Sequence, residues 1–110
     1  MYGITVHNIR REDQIDLIRF RHRGLERLYE GKNAKGIPAG MLDKLRKLLF
    51  ALETASSLQQ LKRFPGWNLH PLKGEFEGFW SLTVTANWRL IFRYDRKDNS
   101  ATDINLIDYH

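Results

Sequence analysis

Hydrophobic residues in the amino-terminal half of the chain recur with the spacing of two helices. Leu25, Leu28 and Tyr29 stand at i, i+3 and i+4 within residues 24–30, which predicts a short helix. Pro38 opens a longer one, because the N–H that proline lacks would be unpaired in a first turn anyway. The apolar side of this second helix carries Met41, Leu45, Leu48, Leu49, Leu52 and Ala55.

The carboxyl-terminal part of the chain alternates apolar and polar residues, as half-buried strands do. Residues 79–85 and 88–94 each show this period of two, and the dipeptide Ala86-Asn87 between them suits a hairpin turn. A final strand is predicted at 103–108. A first one is predicted from Asp16 onward, where Leu17, Ile18 and Phe20 interleave with Arg19 and Arg21. The sequence therefore predicts an α+β fold, with two helices from the amino-terminal half packed on an antiparallel sheet of about four strands.

The chain divides into an extension, residues 1–15, and one domain, residues 16–110. A length of 110 residues suits a single hydrophobic core. In the extension, Ile4, Val6 and Ile9 alternate loosely with polar residues. This pattern is compatible with a short edge strand, a mobile arm or a partly disordered segment.

Composition narrows the class of protein. Hydrophobic residues make up 42% of the chain, as in folded proteins, and the absence of cysteine excludes disulfides and thiolate metal sites. No apolar run approaches the roughly 20 residues that span a bilayer, and no signal-peptide core is present, so we expect a cytoplasmic protein without a membrane partner. The net charge of +5 favours an anionic partner, most commonly nucleic acid.

One face of the predicted sheet is polar and basic. If the alternation holds, it carries Ser81, Thr83, Arg89, Arg93, Asn105 and Tyr109. Such a face is usually solvated. Because the apolar Ile91 stands in its middle, we predict a groove or a partner surface there.

Two histidines and their neighbours form a candidate catalytic constellation. Cleaving RNA without a metal requires a base for the 2′-OH, cations for the phosphoryl oxygens and an acid for the leaving oxygen. His70, His110, Lys73 and Arg89 would supply these groups. No cluster with metal-ligand spacing and no phosphate-binding glycine loop is present, so no cofactor is predicted. The other histidines, His7 and His22, are predicted to be surface residues.

Four sequence blocks in order resemble HigB-type toxins of the RelE-like superfamily: 20–27, 65–74, 78–84 continued by 87–90, and the ending Asp108-Tyr109-His110. The resemblance runs from about residue 16 to residue 110. It implies a compact RelE-like fold and metal-independent cleavage of mRNA on the 70S ribosome, with the 2′-OH as nucleophile. It also implies neutralisation by a cognate helix-turn-helix antitoxin, with operator DNA contacted only through the toxin–antitoxin complex.

The resemblance also implies residue roles. His70 and His110 would be the acid and the base, in an order left open. Tyr109 would stack on or orient the substrate, and Asp108 would orient a neighbour or bind RNA. Arg89 and Lys73 would bind and stabilise the phosphate. Independently of the resemblance, the basic residues Arg93, Arg23, Lys44 and Lys47 are expected to bind RNA.

Strand alternation conflicts with part of this assignment. In a regular strand, Tyr109 points to the opposite face from Asp108 and His110. The strand must therefore twist or end near Ile107 if all three side chains are to converge. Two alternatives to an enzyme also stay open: a non-catalytic RNA- or ribosome-binding module, and a degenerate toxin acting as a regulatory partner.

Overall fold

The computed structural model describes residues 13–109. Its strands are β1 (Asp16–Leu17), β2 (His70–Pro71), β3 (Phe79–Thr83), β4 (Trp88–Asp95) and β5 (Ser100–Asp108). Its α-helices are α1 (Arg23–Tyr29) and α2 (Leu42–Thr54), and 3₁₀ helices span Ala39–Met41, Leu58–Arg63 and Gly74–Phe76. Within the described residues, no helix is long and apolar enough to cross a membrane.

The strands form one five-stranded sheet in the order β1-β5-β4-β3-β2. The predicted α+β architecture is confirmed, with two differences. The sheet has one strand more than the approximate four predicted, because β2 has only two residues and so shows no alternation. The pair β1–β5 is parallel, whereas the other pairs are antiparallel as predicted.

Strand β1 is shorter than the predicted first strand. It ends at Leu17, and Phe20 makes only an isolated parallel bridge to Ile104. Of the predicted extension 1–15, residues 1–12 lie outside the described part of the chain. Ile15 is buried in the core, and its N–H donates to the carbonyl oxygen of Ala55 at 2.9 Å.

Both predicted helices are present. Pro38 precedes the 3₁₀ turn Ala39–Met41, which leads into α2, so the α-helix begins later than predicted. The buried residues of α2 belong to the predicted apolar stripe: Leu45, Leu48, Leu49 and Leu52.

His22, predicted to be a surface residue, is half-buried and is the N-cap of α1. Its Nδ1 accepts the N–H of Leu25 at 3.2 Å, satisfying one of the amides that a helix start leaves unpaired. Burial and the nearby Arg27 cation both lower the pKa of His22. His7 lies outside the described residues.

The two faces of the sheet are covered differently. One, the helix face, packs against the helices and holds the main core, whose fully buried strand residues include Leu82, Leu90, Phe92 and Ile104. The other, the outer face, carries a smaller cluster of Leu72, Phe79 and Ile91. Most of the catalytic and phosphate-binding residues predicted from the sequence lie around this second cluster.

Ile91 is fully buried on the outer face, which corrects the prediction of a groove or partner surface at this position. The segment after β2 folds back along β3, and the N–H of Leu72 donates to the carbonyl oxygen of Phe79 at 2.8 Å. Leu72 and Phe79 cover Ile91, while Phe76 and Ile107 pack against them. The apolar residue in the polar face therefore belongs to a local core.

Candidate active site

The strand register confirms that the predicted polar residues share one face of the sheet. Ser81 of β3 lies opposite Ile91 of β4, which lies opposite Asn105 of β5. The next row on the same face pairs Thr83 with Arg89. Directly paired residues of neighbouring strands point to the same side, so both rows belong to the outer face.

Strand β2 adds His70 to this face. His70 lies opposite Ser81, its side chain is exposed, and its Nδ1 is 2.6 Å from the carbonyl oxygen of Asn68. Asn68 has a φ of 49°, the left-handed conformation that asparagine tolerates better than most residues. In the neutral imidazole, Nδ1–H donates to this carbonyl, so Nε2 keeps its lone pair. That nitrogen can accept a proton from a bound substrate.

Lys73 follows His70 by three residues and is exposed where the chain leaves β2. Among the described residues, no carboxylate lies within ion-pair distance of its ammonium group. Its charge is therefore available to an anion bound beside His70.

Arg89 is held at the opposite end of the site by the β3–β4 hairpin. Its Nη1 donates to the carbonyl oxygens of Thr85 at 2.7 Å, Ala86 at 3.1 Å and Trp88 at 3.1 Å. One edge of the guanidinium is thus fixed by backbone. The donors that remain are pre-oriented, which favours binding of a phosphate.

Tyr109 lies beside Arg89. The ring centroid is 5.8 Å from Cζ of Arg89, and the backbone N–H of Tyr109 donates to the carbonyl oxygen of Asn87 at 2.6 Å. This bond anchors the end of the chain on the hairpin. Tyr109 is 42% exposed, so part of its ring is open to a ligand.

Asp108 does not share the face of Tyr109. It is paired with Trp88, whose side chain packs against the main core on the helix face. The strand ends at Asp108, one residue after Ile107, and Tyr109 lies beyond its end next to Arg89. The structure therefore brings Arg89 and Tyr109 together and leaves Asp108 on the other side. His110 lies outside the described residues.

Arg93 is on the outer face but in a different setting from Arg89. Its Nε is 3.7 Å from Oδ2 of Asp103, and its Cζ lies 4.4 Å from the ring centroid of Phe79. A Cβ on Gly78 would come within 2.5 Å of its Nη1, so the guanidinium fills the space beside that glycine. Four residues separate Arg93 from Arg89, roughly 13 Å along the strand. Its charge is locally paired and distant from the hairpin.

The remaining predicted RNA-binding residues belong to the helix layer. Arg23 is the exposed first residue of α1, and Lys47 is exposed on α2. The ammonium group of Lys44 lies 5.4 Å from the ring centroid of Trp67. None of the three is on the outer face, so the structure separates these cations from His70 and Arg89.

The sequence predicted Ser81 on the polar face but did not indicate that it is buried. Its side chain, opposite His70 of β2, is fully buried, and its Oγ has no hydrogen-bond partner among the described residues. Alternation placed it on the polar face, but its burial follows from the folded-back segment after β2. Among residues 13–109, no group of three or more His, Asp, Glu or Cys side chains could hold a metal ion.

The site therefore consists of two parts on one face. His70 and Lys73 lie at the end of β2, and Arg89 and Tyr109 lie at the hairpin two strands away, about 10 Å across the sheet. Thr83 of β3 stands between them, opposite Arg89. A proton acceptor and pre-oriented cations flanking an open face can bind and transesterify a phosphodiester.

Two solved structures share this arrangement of sheet and helices. YafQ from E. coli has 16% sequence identity and a TM-score of 0.52, with coverage of 84% of this chain and 91% of YafQ. A chain of the toxin–antitoxin complex RelBE2 from Mycobacterium tuberculosis has 20% identity and a TM-score of 0.50, with coverage of 88% and 99%. The chain therefore has the fold of these two proteins.

Sequence comparison identifies the family. Residues 18–110 match the family described as RelE-like toxin of type II toxin-antitoxin system HigB. The chain belongs to this HigB-like family, which confirms the resemblance found in its motifs. It is 43% identical over 91 residues to "Endoribonuclease HigB" of Proteus vulgaris, covering 83% of this chain and 96% of the relative.

Proposed function

We propose that this chain is a ribosome-dependent endoribonuclease toxin that cleaves mRNA in the cytoplasm and thereby stops translation. The observation that carries the proposal is the shared outer face of His70 and Arg89, with the Nδ1 of His70 bonded to backbone and Nε2 left to accept a proton. The name endoribonuclease of the Proteus vulgaris relative supports the same reaction.

The reaction needs no metal in this proposal. The 2′-oxygen attacks the adjacent phosphorus, forming the O2′–P bond of a 2′,3′-cyclic phosphate as the P–O5′ bond breaks. A base removes the 2′-OH proton, and an acid delivers a proton to the departing 5′-oxygen. His70 and His110 take these two roles, in an order that stays open.

Cations and an aromatic ring complete the proposed machinery. Arg89 stabilises the charge on the phosphoryl oxygens with the donors that the hairpin leaves unused, and Lys73 adds a second charge. Tyr109 stacks on a base beside the scissile phosphate, since its ring is partly open and anchored next to Arg89. Asp108 acts from the far side of the strand end by orienting a neighbour or by contacting RNA.

The partners are proposed on the same basis. A cognate helix-turn-helix antitoxin neutralises the toxin; that a structural relative, RelBE2, was solved as a toxin–antitoxin complex supports an antitoxin partner. Operator DNA is contacted only through that complex. Arg23, Lys44 and Lys47 give the helix layer phosphate contacts for docking on the 70S ribosome, which predicts binding that weakens steeply with salt.

Primer extension on a reporter mRNA in a reconstituted translation system tests the proposal. We expect cuts only when ribosomes are present, and loss of about 100-fold or more in cleavage rate for Arg89→Gln. Arg96→Gln is the matched control, because Arg96 is an exposed arginine at the opposite end of β4. His70→Gln and deletion of His110 should each abolish most of the cleavage.

Three results would contradict the proposal. Cleavage without ribosomes would contradict the proposed ribosome dependence. Cleavage that requires an added divalent metal would contradict the metal-free mechanism. Folded protein free of antitoxin that pellets with ribosomes and cuts nothing would instead support the non-catalytic binding module.

A further inference from the structure

Helix α2 carries a large aromatic side chain on its solvent side. Phe50 is 67% exposed, whereas the buried stripe of α2 lies on the other side of the helix. A phenylalanine this exposed in mid-helix contributes nothing to the core of the isolated chain. Phe50 also has apolar neighbours at the surface, because it lies at the edge of an apolar groove.

The groove lies between α2 and the 3₁₀ helix Leu58–Arg63 and has a volume of about 450 Å³. Ala51 and Leu61 contribute aliphatic surface to its lining, and Phe50 and Phe64 contribute aromatic surface. Phe64 is 39% exposed and stacks on Trp67 with ring centroids 4.2 Å apart and planes inclined by 17°. This stacking gives one wall of the groove a defined shape.

The groove is bordered by positive charge. Lys47 and Arg63 both line it. Helix α2 also carries an acid, Glu53, which accepts a hydrogen bond from the hydroxyl of Tyr29 and lines a different, smaller pocket. Phe50 borders both pockets, but the acid does not line the groove that holds the two cations.

We propose that this α2 groove binds an acidic amphipathic segment of the cognate antitoxin, with an apolar side chain seated against Phe50 and carboxylates facing Lys47 and Arg63. The partner rests on the proposed function, but the surface rests on the structure alone. An apolar floor rimmed by one sign of charge is complementary to a segment of opposite charge. Central aromatic side chains are the usual energetic anchors of protein interfaces.

RNA fits this groove less well than a peptide does. Its floor is aliphatic, and the two aromatic rings of Phe64 and Trp67 already stack on each other. The groove also belongs to the helix layer, on the other side of the sheet from His70 and Arg89. The amino-terminal residues 1–12 carry Arg10 and Arg11 against a single acid, Glu12, so their charge does not complement a cationic rim.

Calorimetric titration with the cognate antitoxin, identified as the protein that relieves the growth arrest caused by this chain, tests the inference. We expect Phe50→Ala to raise Kd about tenfold or more, and Lys47→Glu to raise Kd with a weaker dependence on salt. Ile18→Ala is the matched control, because Ile18 is also a large exposed apolar residue, at 54%. It differs in position, since it directly follows the edge strand β1. We expect it to leave Kd within about twofold.

Cleavage measured on the same variants separates this inference from the proposed function. Phe50→Ala should cleave mRNA as the parent does. If the parent proves inactive while Phe50→Ala still loses antitoxin affinity, the endoribonuclease proposal fails and the groove stands. As a reciprocal check, replacing acidic residues of the antitoxin segment with lysine should restore affinity for Lys47→Glu.

Other outcomes would overturn the inference. If the Kd for the antitoxin is unchanged in both Phe50→Ala and Lys47→Glu, the groove is not part of the antitoxin interface. Loss of cleavage with normal antitoxin affinity would assign the groove to RNA or the ribosome. A lower melting temperature of Phe50→Asp in the full chain, but not in a chain that begins at residue 13, would show that residues 1–12 fill the groove.

Discussion

The two faces of β4 show how one strand serves stability and chemistry separately. Leu90 and Phe92 point to the helix face and are fully buried in the main core. Arg89 and Arg93 alternate with them on the outer face, where each guanidinium is held by a different set of neighbours. The helix face thus supplies the rigidity on which the outer face depends for its geometry.

The outer face is not simply the solvated side of the sheet. Ile91 between the two arginines is as fully buried as Phe92, under a cover of only a few side chains. A small core beneath the site fixes β2, and therefore His70, against β3. The two faces of the sheet therefore differ in the size of the hydrophobic core that each one carries.

The largest expected effect is on the helix face. Phe92→Ala should lower the free energy of unfolding by about 3–5 kcal/mol, since it leaves a large cavity in the main core. Urea denaturation followed by circular dichroism measures this loss. A loss below about 1 kcal/mol would mean that the helix face is not the main source of stability.

A smaller loss is expected on the outer face. Ile91→Ala should cost about 2 kcal/mol, at the lower end for a buried isoleucine, because the cover over Ile91 can partly collapse. Cleavage by the folded variant should also fall, since β2 and His70 lose their support. Equal losses in the free energy of unfolding for Phe92→Ala and Ile91→Ala would contradict the inferred difference in core size between the two faces.

Removing the hydroxyl of Ser81, which has no hydrogen-bond partner among residues 13–109, should not destabilise the protein. Ser81→Ala eliminates a buried oxygen without a partner, so the free energy of unfolding should stay the same or rise by up to about 1 kcal/mol. The same denaturation experiment measures it. A loss of more than about 1 kcal/mol would show that the hydroxyl has a partner in solution.

The smallest effect expected is the pH dependence contributed by His22. Its pKa in the folded chain is below the ordinary value of 6.5, so the unfolded chain binds more protons as the pH falls through that value. Stability from this group is therefore present above about pH 6.5 and is lost towards lower pH.

Replacing His22 with asparagine isolates this contribution, because asparagine caps a helix without titrating. Unfolding curves at about pH 7.5 and about pH 5.5 should differ less for His22→Asn than for the parent. An equal pH dependence in both would assign it to other groups.

Much of the fold could be predicted because hydrophobic periodicity is a local property. The stripe of α2 and the alternation of β3 and β4 were present in the spacing of residues alone. The same alternation correctly put Ser81, Thr83 and Arg89 on one face. Phe50 is an apolar residue outside the hydrophobic stripe of α2. Its position could be seen in the sequence, but hydrophobic periodicity does not explain it.

Tertiary structure decided what depends on partners distant in sequence. The parallel pairing of β1 with β5, the burial of Ile91 and Ser81, and the capping role of His22 each follow from packing between segments or from local geometry that has no periodic signature. The sequence alone determined which residue types are available and which side of each element is apolar. The register of strands and the segments that cover them decided which residues meet, because hydrophobic burial is non-directional and does not by itself specify its partners.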